Sequence, residues 1–277
     1  MKIIYETRFS FLGQSGWQSA AAGNAELLLA PERLERRFSL FERVTLPSLA
    51  AQSDPDFEVM VLASAAMAGH WQARLRTLLF DVLGEDRAYP IFARPGSTGR
   101  IFRRHLLRRH GDEARVAQVV LDDDDAVAAD FTALCRAEAA HMAAHPPEDT
   151  DYGFISFPRG LSLIFEDGQA VGLAPRNVAF TNLGLTLVAP PGHRKTPFGT
   201  AHRKIGARHP ARVVHARRPF YLRAVHDTND SHAHHEETRL SAGETVRLTT
   251  HFPFLRALLP EAAGLPPAAG GSKGGAV

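Results

Sequence analysis

Short apolar runs alternate with longer stretches of helical periodicity through the first half of the chain. The clearest run, residues 116–121, is short, apolar and rich in valine, which is typical of a strand buried on both faces. Similar runs lie at residues 3–5, 57–63 and 88–92. Strands that alternate with helices in this way predict an α/β fold with a doubly wound, mostly parallel sheet.

The segments between these runs carry the spacing of amphipathic helices. Leu34, Phe38 and Phe41 are separated by four and three residues and form one apolar stripe, which predicts a helix there. Pro47 cannot lie inside a regular helix, so it either kinks this helix or begins a second one. Further helices are predicted at residues 71–83, 100–109 and 126–141.

The second half of the chain has shorter predicted strands, at residues 153–157, 161–165 and 183–188. We expect this half to be mixed α/β and to share one sheet with the first half. The predicted domain spans residues 1–263. Residues 264–277 are rich in Pro, Gly and Ala, so they are predicted to form a disordered tail.

Composition narrows the class of protein. The chain has 277 residues, of which 44% are hydrophobic and 22% charged, with a net charge of +2, so it can bury a sizeable core and bulk disorder is excluded. One cysteine, Cys135, excludes an intrachain disulfide and indicates a reducing compartment. The sequence shows no signal peptide and no apolar stretch long enough to span a membrane, so a cytoplasmic location is expected.

The small net charge hides an uneven distribution. Asp122–Asp125 are four consecutive aspartates, whereas residues 168–226 contain no Asp or Glu, ten Lys or Arg and five His. This basic segment has three interpretations, which are a cleft for a diphosphate and an acceptor, an anionic membrane surface, and nucleic acid. Nucleic acid is the least favoured partner, because no nucleic-acid-binding motif accompanies the positive charge.

The four aspartates directly follow the strongest predicted strand. Ligands of open α/β sheets bind beyond the carboxyl ends of the strands, and adjacent carboxylates need a compensating cation in a partly desolvated site. Mg²⁺ and Mn²⁺ prefer carboxylate oxygens, and Mg²⁺ is usually shared with substrate phosphates. The run is therefore a candidate metal–diphosphate site; the alternative is a solvated loop whose last aspartate caps the following helix.

Two chemistries compete for this site. Asp122-x-Asp124 suits a nucleotide-sugar transferase, whereas Asp123-x-Asp125 also fits the first motif of haloacid-dehalogenase-type phosphatases, with Asp123 as the nucleophile. That phosphatase motif normally lies near the N-terminus, but here about 120 residues precede it. The later acidic pair that such a phosphatase needs is also missing from the basic segment. A non-catalytic protein that binds anions or a surface is the third hypothesis.

Six ordered motifs resemble a known family of bacterial rhamnosyltransferases, within the GT-A-fold glycosyltransferases. The motifs are ETRFSFLG, TLPSLAAQ, LDDDDAV, ISFPRGL, FTNLGLTLVAP and VHDTNDS, between about residues 6 and 231. The resemblance implies a GT-A-type, Rossmann-like single domain that transfers a sugar, with rhamnose as the candidate, from a nucleotide-diphosphate donor. It implies a Mn²⁺ or Mg²⁺ cofactor and a saccharide or lipid-linked hydroxyl acceptor. The donor part would cover about residues 1–130, and the acceptor part about 150–235.

The same resemblance assigns roles to individual residues. Asp122 and Asp124 match the two aspartates of the DxD metal motif, and His226 matches the C-terminal histidine that completes the metal site of many GT-A enzymes. The strand from Val59 ends in Leu-Ala-Ser. At this place the commoner family 2 glycosyltransferases often have an aspartate that binds the nucleotide base. Recognition of the base is therefore assigned to Thr7 and Arg8.

The remaining candidates follow from their chemistry. Arg8, Arg100 and the Arg203–Lys204 pair could neutralise the diphosphate, whose charge grows as the sugar leaves. Asp123 is placed with the donor-binding residues because it lies within the same acidic run. His202 and Asp227 are candidates for the base that deprotonates the acceptor. A lipid-linked acceptor would also bring the protein into peripheral contact with the inner membrane.

Overall fold

The computed structural model describes residues 1–13, 24–146, 150–226 and 238–259. The strands in chain order are β1 (Lys2–Phe9), β2 (Phe57–Ser64), β3 (Ala88–Ala93), β4 (Val116–Val120), β5 (Ala126–Val127), β6 (Gly153–Ser156), β7 (Arg159–Glu166), β8 (Gln169–Asn177), β9 (Thr186–Ala189), β10 (Ala211–Val213) and β11 (Tyr221–Val225). The α-helices are α1 (Ala25–Leu28), α2 (Pro31–Leu40), α3 (Leu46–Ala50), α4 (Gly69–Leu83), α5 (Thr98–His110), α6 (Phe131–Ala144), α7 (Ile205–Arg208), α8 (Ala242–Leu248) and α9 (Leu255–Leu258).

These strands form two sheets. The larger sheet has seven strands in the order β10-β6-β9-β4-β1-β2-β3, and the smaller has four in the order β5-β11-β7-β8. In the larger sheet β1 is parallel to both β2 and β4, while β9 is antiparallel to β4 and β6. The predicted α/β fold with a mixed, mostly parallel sheet flanked by helices is confirmed.

Both faces of the larger sheet are buried, which explains why its strands read as continuous apolar runs. On one face, Tyr5 of β1 packs edge-on against Phe57 and is also in ring contact with Phe131 of α6. On the other face, Ile4 belongs to a second cluster with Phe102 of α5. Alternate residues of β1 thus point into two different cores.

Pro47 lies in the first turn of a new helix, one residue after its beginning, which is close to the second of the two predicted outcomes. The chain leaves α2 through a π-helical turn, Phe41–Thr45, and Pro47 lies in the first turn of α3. The backbone N–H of Leu46 donates to the carbonyl of Phe41, five residues earlier. A single wide turn of this kind joins two helices without breaking them apart.

The predicted helix at residues 126–141 is wrong at its beginning. Ala126–Val127 form strand β5, which pairs with β11, and α6 starts only at Phe131. The backbone N–H of Ala128 donates to the carbonyl of Phe220 at 2.9 Å. This long-range pairing overrides the helix propensity of the alanines, because propensity is only a weak local preference.

The second half of the chain only partly shares the larger sheet. Strands β6, β9 and β10 join it, whereas β7, β8 and β11 form the smaller sheet with β5. Strand β8 was not predicted, because its sequence QAVGLAPRN has no two-residue alternation. Strands β10 and β11 were also not predicted.

Within the described ranges, no helix has the length and apolar character needed to cross a bilayer. The predicted tail at residues 264–277 and the candidate Asp227 lie outside the described residues.

Candidate functional site

The four aspartates form a turn at the carboxyl end of β4, beside the end of its parallel neighbour β1. Arg8 of β1 donates from Nη2 to Asp122 Oδ1 at 3.1 Å, and its side chain is only 3% exposed. The guanidinium of Arg8 also lies over the ring of Phe198, at 4.9 Å from the ring centre. Asp122 is 27% exposed, so it presents a carboxylate to solvent from a fixed position.

Arg37 of α2 holds the next two aspartates. Its Nε donates to Asp123 Oδ2 at 2.9 Å and its Nη1 donates to Asp124 Oδ2 at 3.0 Å, while Nη2 contacts Asp123 Oδ1. The side chain of Asp123 is completely buried, and that of Arg37 is 4% exposed. Such a planar fork fixes the orientation of two carboxylates at once, whereas a lysine would act as a point charge without this fixed geometry.

Arg37 was not among the predicted site residues, although its position in the sequence indicates that it is buried. Arg37 lies three residues after Leu34 and one before Phe38, so it falls on the apolar stripe of α2. A charged residue on the buried face of a helix needs a partner of opposite charge. The four consecutive aspartates are the candidate partners that this requirement predicts.

The smaller sheet closes the cluster from the other side. The backbone N–H of Ala224 in β11 donates to Asp125 Oδ1 at 2.9 Å, and His226 Nε2 lies 3.0 Å from Asp124 Oδ2. Asp124 therefore lies between Arg37 of the first half and His226 of the second. His226 thus lies beside Asp124, while the predicted role of both residues as metal ligands stays a prediction.

Charge is distributed unequally among the aspartates. Burial would raise the pKa of the Asp124 carboxyl, but Arg37, His226 and Arg223 outweigh it and hold that pKa below its ordinary value. Burial and the neighbouring Asp124 raise the pKa of Asp125 well above its ordinary value. The cluster thus keeps Asp124 ionised and favours a protonated Asp125, which lowers the repulsion between adjacent carboxyls.

The chemistry of Asp122, Asp124 and His226 fits a hard divalent cation. Carboxylate oxygen and imidazole nitrogen are both accepted by Mn²⁺. Asp124 Oδ2 and His226 Nε2 lie 3.0 Å apart, within hydrogen-bond distance, so both kinds of ligand atom are present side by side. Across the described ranges, no three His, Cys, Asp or Glu side chains are already gathered as a metal-binding group.

Asp123 is the clearest departure from the predicted donor-binding set. Its side chain has no exposed surface and is paired with Arg37, so as placed it cannot touch a donor. Its position indicates that it holds Arg37 in place beneath the exposed part of the site. Thr7 is also fully buried, and strand alternation directs it to the face opposite Arg8.

The other predicted donor-binding residues lie on the surface. Arg100 is exposed in the first turn of α5, and Arg203 and Lys204 are exposed in a short 3₁₀ turn. Among the residues that the structure describes, no hydrogen bond or ion pair joins these three side chains to the aspartates. Their assignment to the diphosphate stays a prediction.

His202 is held by a backbone contact. Its Nδ1 lies 2.7 Å from the carbonyl oxygen of Phe180. Because a carbonyl only accepts, Nδ1 must carry the proton, which leaves Nε2 as the acceptor in the neutral ring. A general base needs an acceptor nitrogen of this kind.

Glu6 is a buried carboxyl close to this site in sequence. It lies in the middle of β1, is 0% exposed, and neither of its carboxyl oxygens has a hydrogen-bond partner in the described structure. Burial raises the pKa of Glu6 to about 8, so the carboxyl is mostly protonated at neutral pH. Glu6 was not predicted as a notable residue, because a single acidic residue in a strand does not by itself indicate a buried carboxyl.

Comparison with known proteins places the chain in a family. The model of the family described as "Putative rhamnosyl transferase" matches residues 2–238. A search of curated proteins finds no match.

Several solved structures resemble the chain at low identity. The Staphylococcus aureus TarS 1-349 structure is 13% identical in its complex with UDP, with a TM-score of 0.42, and the match covers 81% of this chain and 61% of that one. The TarS 1-349 structure described without UDP is 14% identical with a TM-score of 0.40, covering 81% of this chain and 60% of that one. A "putative nucleotide-diphospho-sugar transferase" from Desulfovibrio desulfuricans G20 is 12% identical with a TM-score of 0.38, covering 82% and 84%. The chain thus spans about three-fifths of the TarS 1-349 structures.

Proposed function

The chain belongs to the rhamnosyl transferase family that its residues 2–238 match, which makes it a glycosyltransferase, and we propose that it is a metal-dependent enzyme of GT-A type. It transfers a sugar, with rhamnose as the candidate, from a nucleotide-diphosphate donor to a hydroxyl of a saccharide or lipid-linked acceptor. The observation that carries this proposal is the aspartate turn after β4, held by Arg8, Arg37 and His226.

Asp122, Asp124 and His226 are the residues that would hold Mn²⁺ or Mg²⁺. A bound divalent ion supplies positive charge to the diphosphate leaving group. Arg37 fixes the orientation of Asp124 through its bond to Oδ2. The ligand is therefore prepared before the ion arrives, which lowers the cost of binding.

Arg8 is the side chain best placed to bind the donor diphosphate. Its guanidinium lies over the ring of Phe198 and donates to Asp122, which is the most exposed of the four aspartates. A cation held in a poorly solvated position stabilises developing negative charge more strongly than a mobile surface lysine does. Arg8 thus favours departure of the nucleoside diphosphate, the step in which negative charge grows.

His202 is the proposed general base for the acceptor. The contact of its Nδ1 with the Phe180 carbonyl leaves Nε2 ready to take the proton of the attacking hydroxyl. Asp227, the other candidate, lies outside the described residues. The predicted cytoplasmic location and the contact with a membrane stay predictions.

The burial of Asp123 argues against the phosphohydrolase alternative. A phosphatase nucleophile must reach the phosphorus of its substrate, whereas Asp123 is fully buried and paired with Arg37. Asp122, the exposed aspartate, does not occupy the nucleophile position of that motif.

Titration calorimetry with nucleoside diphosphates tests the proposed function. With Mn²⁺ present, we expect at least one nucleoside diphosphate to bind, and Asp124→Asn to weaken it about 10- to 100-fold. Asp122→Asn should act in the same direction. It is also less disruptive to the fold, since its carboxylate is 27% exposed.

Asp56→Asn is the matched control. Asp56 is 60% exposed and pairs with Lys2 at the opposite end of β1, so the same loss of charge should leave nucleotide affinity unchanged. If no nucleoside diphosphate binds to the wild-type protein with Mn²⁺ present, the proposed function is wrong.

A further inference from the structure

A second basic site lies away from the aspartates, between the smaller sheet and α8. It is a cavity of about 500 Å³. The arginines that line it include Arg159 of β7, Arg176 of β8, Arg247 of α8, and also Arg217. In the described part of the chain, no ion pair with a carboxylate engages any of these four arginines. Four cations therefore border one concave space, and Glu244, which also lines it, carries a charge that acts on Arg247.

Two carboxyl groups of the described residues near this cavity, Glu244 and Asp130, have local partners. Glu244 accepts hydrogen bonds from the backbone and side chain of Ser241 as part of a capping box at the start of α8. Asp130 pairs with Arg218, a fifth arginine of the cavity wall. The cavity therefore keeps a strong positive charge after these local pairs are counted.

Such a cavity suits an anion attached to an organic group. Converging arginines repel one another unless an anion joins them, and the guanidinium fork matches a carboxylate or a phosphate with two parallel hydrogen bonds. The volume falls within the range of small-molecule sites, which is about 300–1,000 Å³. Leu240 and Leu248 supply an apolar wall, against which the ring of a sugar can pack.

Strand β11 connects the cavity to the aspartates. Tyr221, at its beginning, lies beside Arg176, whose charge and hydrogen bond act on the Tyr221 hydroxyl. Arg223, two residues on, is close enough to act on the charges of Asp124 and Asp125. Tyr221 and Arg223 point to the same face of β11. The strand spans roughly 10 Å from Tyr221 to Ala224, a distance that a short oligosaccharide can cover.

We propose that this cavity binds the acidic group of an anionic saccharide acceptor, a sugar carboxylate or sugar phosphate, while the acceptor hydroxyl lies at the aspartate site. The proposal rests on the glycosyltransferase function proposed above. A concave site with an apolar wall fits a saccharide better than a flat membrane surface, which typically attracts exposed clusters of Lys and Arg. Binding of anionic lipid is therefore an outcome that the test must separate.

The test compares an acidic and a neutral oligosaccharide of equal length. We expect tetragalacturonate to bind the wild-type protein in titration calorimetry without nucleotide, and maltotetraose to bind at least tenfold more weakly. The double variant Arg159→Gln/Arg247→Gln should weaken tetragalacturonate at least tenfold, since two charge-assisted hydrogen-bond donors are lost. Its affinity for nucleoside diphosphate with Mn²⁺ should be unchanged.

The control is the double variant Arg76→Gln/Arg104→Gln, which removes the same charge from exposed positions of α4 and α5. The proposal is overturned if this control weakens tetragalacturonate as much as the cavity variant, or if maltotetraose binds equally well. It is also overturned if only phosphatidylglycerol vesicles bind and the cavity variant abolishes that binding. If the wild-type protein binds tetragalacturonate but no nucleoside diphosphate, the anion site is supported and the proposed transferase function is wrong. Failure of the anion site can therefore be distinguished from failure of the proposed function.

Discussion

Replacing Arg37 with alanine is expected to lower the free energy of unfolding by about 3–5 kcal/mol, the usual cost of removing one partner from a buried ion pair. Asp123 would keep a fully buried carboxyl without the guanidinium that pairs with it, and Asp124 would lose the same partner. Both aspartates would then have to take up protons or water to persist in the fold. Urea denaturation followed by circular dichroism measures this loss directly.

Two further variants distinguish the buried pair from an ordinary one. Arg212→Ala removes an arginine that is 46% exposed and pairs with Glu138, so it should cost no more than about 1 kcal/mol. Arg37→Lys should fall between the two, because an ammonium group keeps the charge but lacks the planar fork that bonds Asp123 and Asp124 in fixed directions. An Arg37→Ala loss as small as that of Arg212→Ala would show that the aspartates do not depend on Arg37.

Local features of the sequence predicted the parallel core well. In β1, β2 and β4 the signal is a short apolar run, because these strands are covered on both faces and admit few polar residues. The position of the aspartates also followed from a single segment, since a strand and the turn after it are adjacent in the chain. Predictions of this kind need no knowledge of distant contacts.

The partners of the aspartates could not be predicted in the same way. Arg37 and Asp123 are separated by 86 positions, and His226 and Asp124 by 102. Which cation reaches which carboxylate depends on how α2 and β11 pack, and no local pattern encodes that. The short strand β5 was missed for the same reason, because only its pairing with β11 prevents it from being helical.

The basic segment proves to contain two separate groups of cations. Arg223 and His226 act on the aspartate cluster, whereas Arg176 and Arg217 border the cavity at the other end of β11. One explanation for the whole segment, such as a membrane surface, would have combined charges that the fold keeps apart. Strand β11 lies between the two groups and runs from the cavity towards the aspartates.

The second large effect is expected from Glu6, whose carboxyl should make the protein less stable as the pH rises. Its pKa rises from 4.5 to about 8 on folding, so between these values the folded state keeps a proton that the unfolded state has lost. The free energy of unfolding therefore falls by about 1.4 kcal/mol per pH unit in this window, roughly 5 kcal/mol in all. The cause is burial alone, since its partners across β1 are Met60 and Val120.

Glu6→Gln keeps the shape of the side chain and removes its titration. We expect it to be close to the wild type in stability near pH 4 and more stable by several kcal/mol near pH 9, measured as urea midpoints across that range. Glu166→Gln is the control, because Glu166 is 57% exposed in an ion pair with Arg239 and should leave the pH profile unchanged. Only a carboxyl that burial keeps neutral makes the urea midpoints of the wild type and Glu6→Gln diverge as the pH rises. If the two profiles stay parallel, Glu6 ionises in the folded protein beside a cation or water.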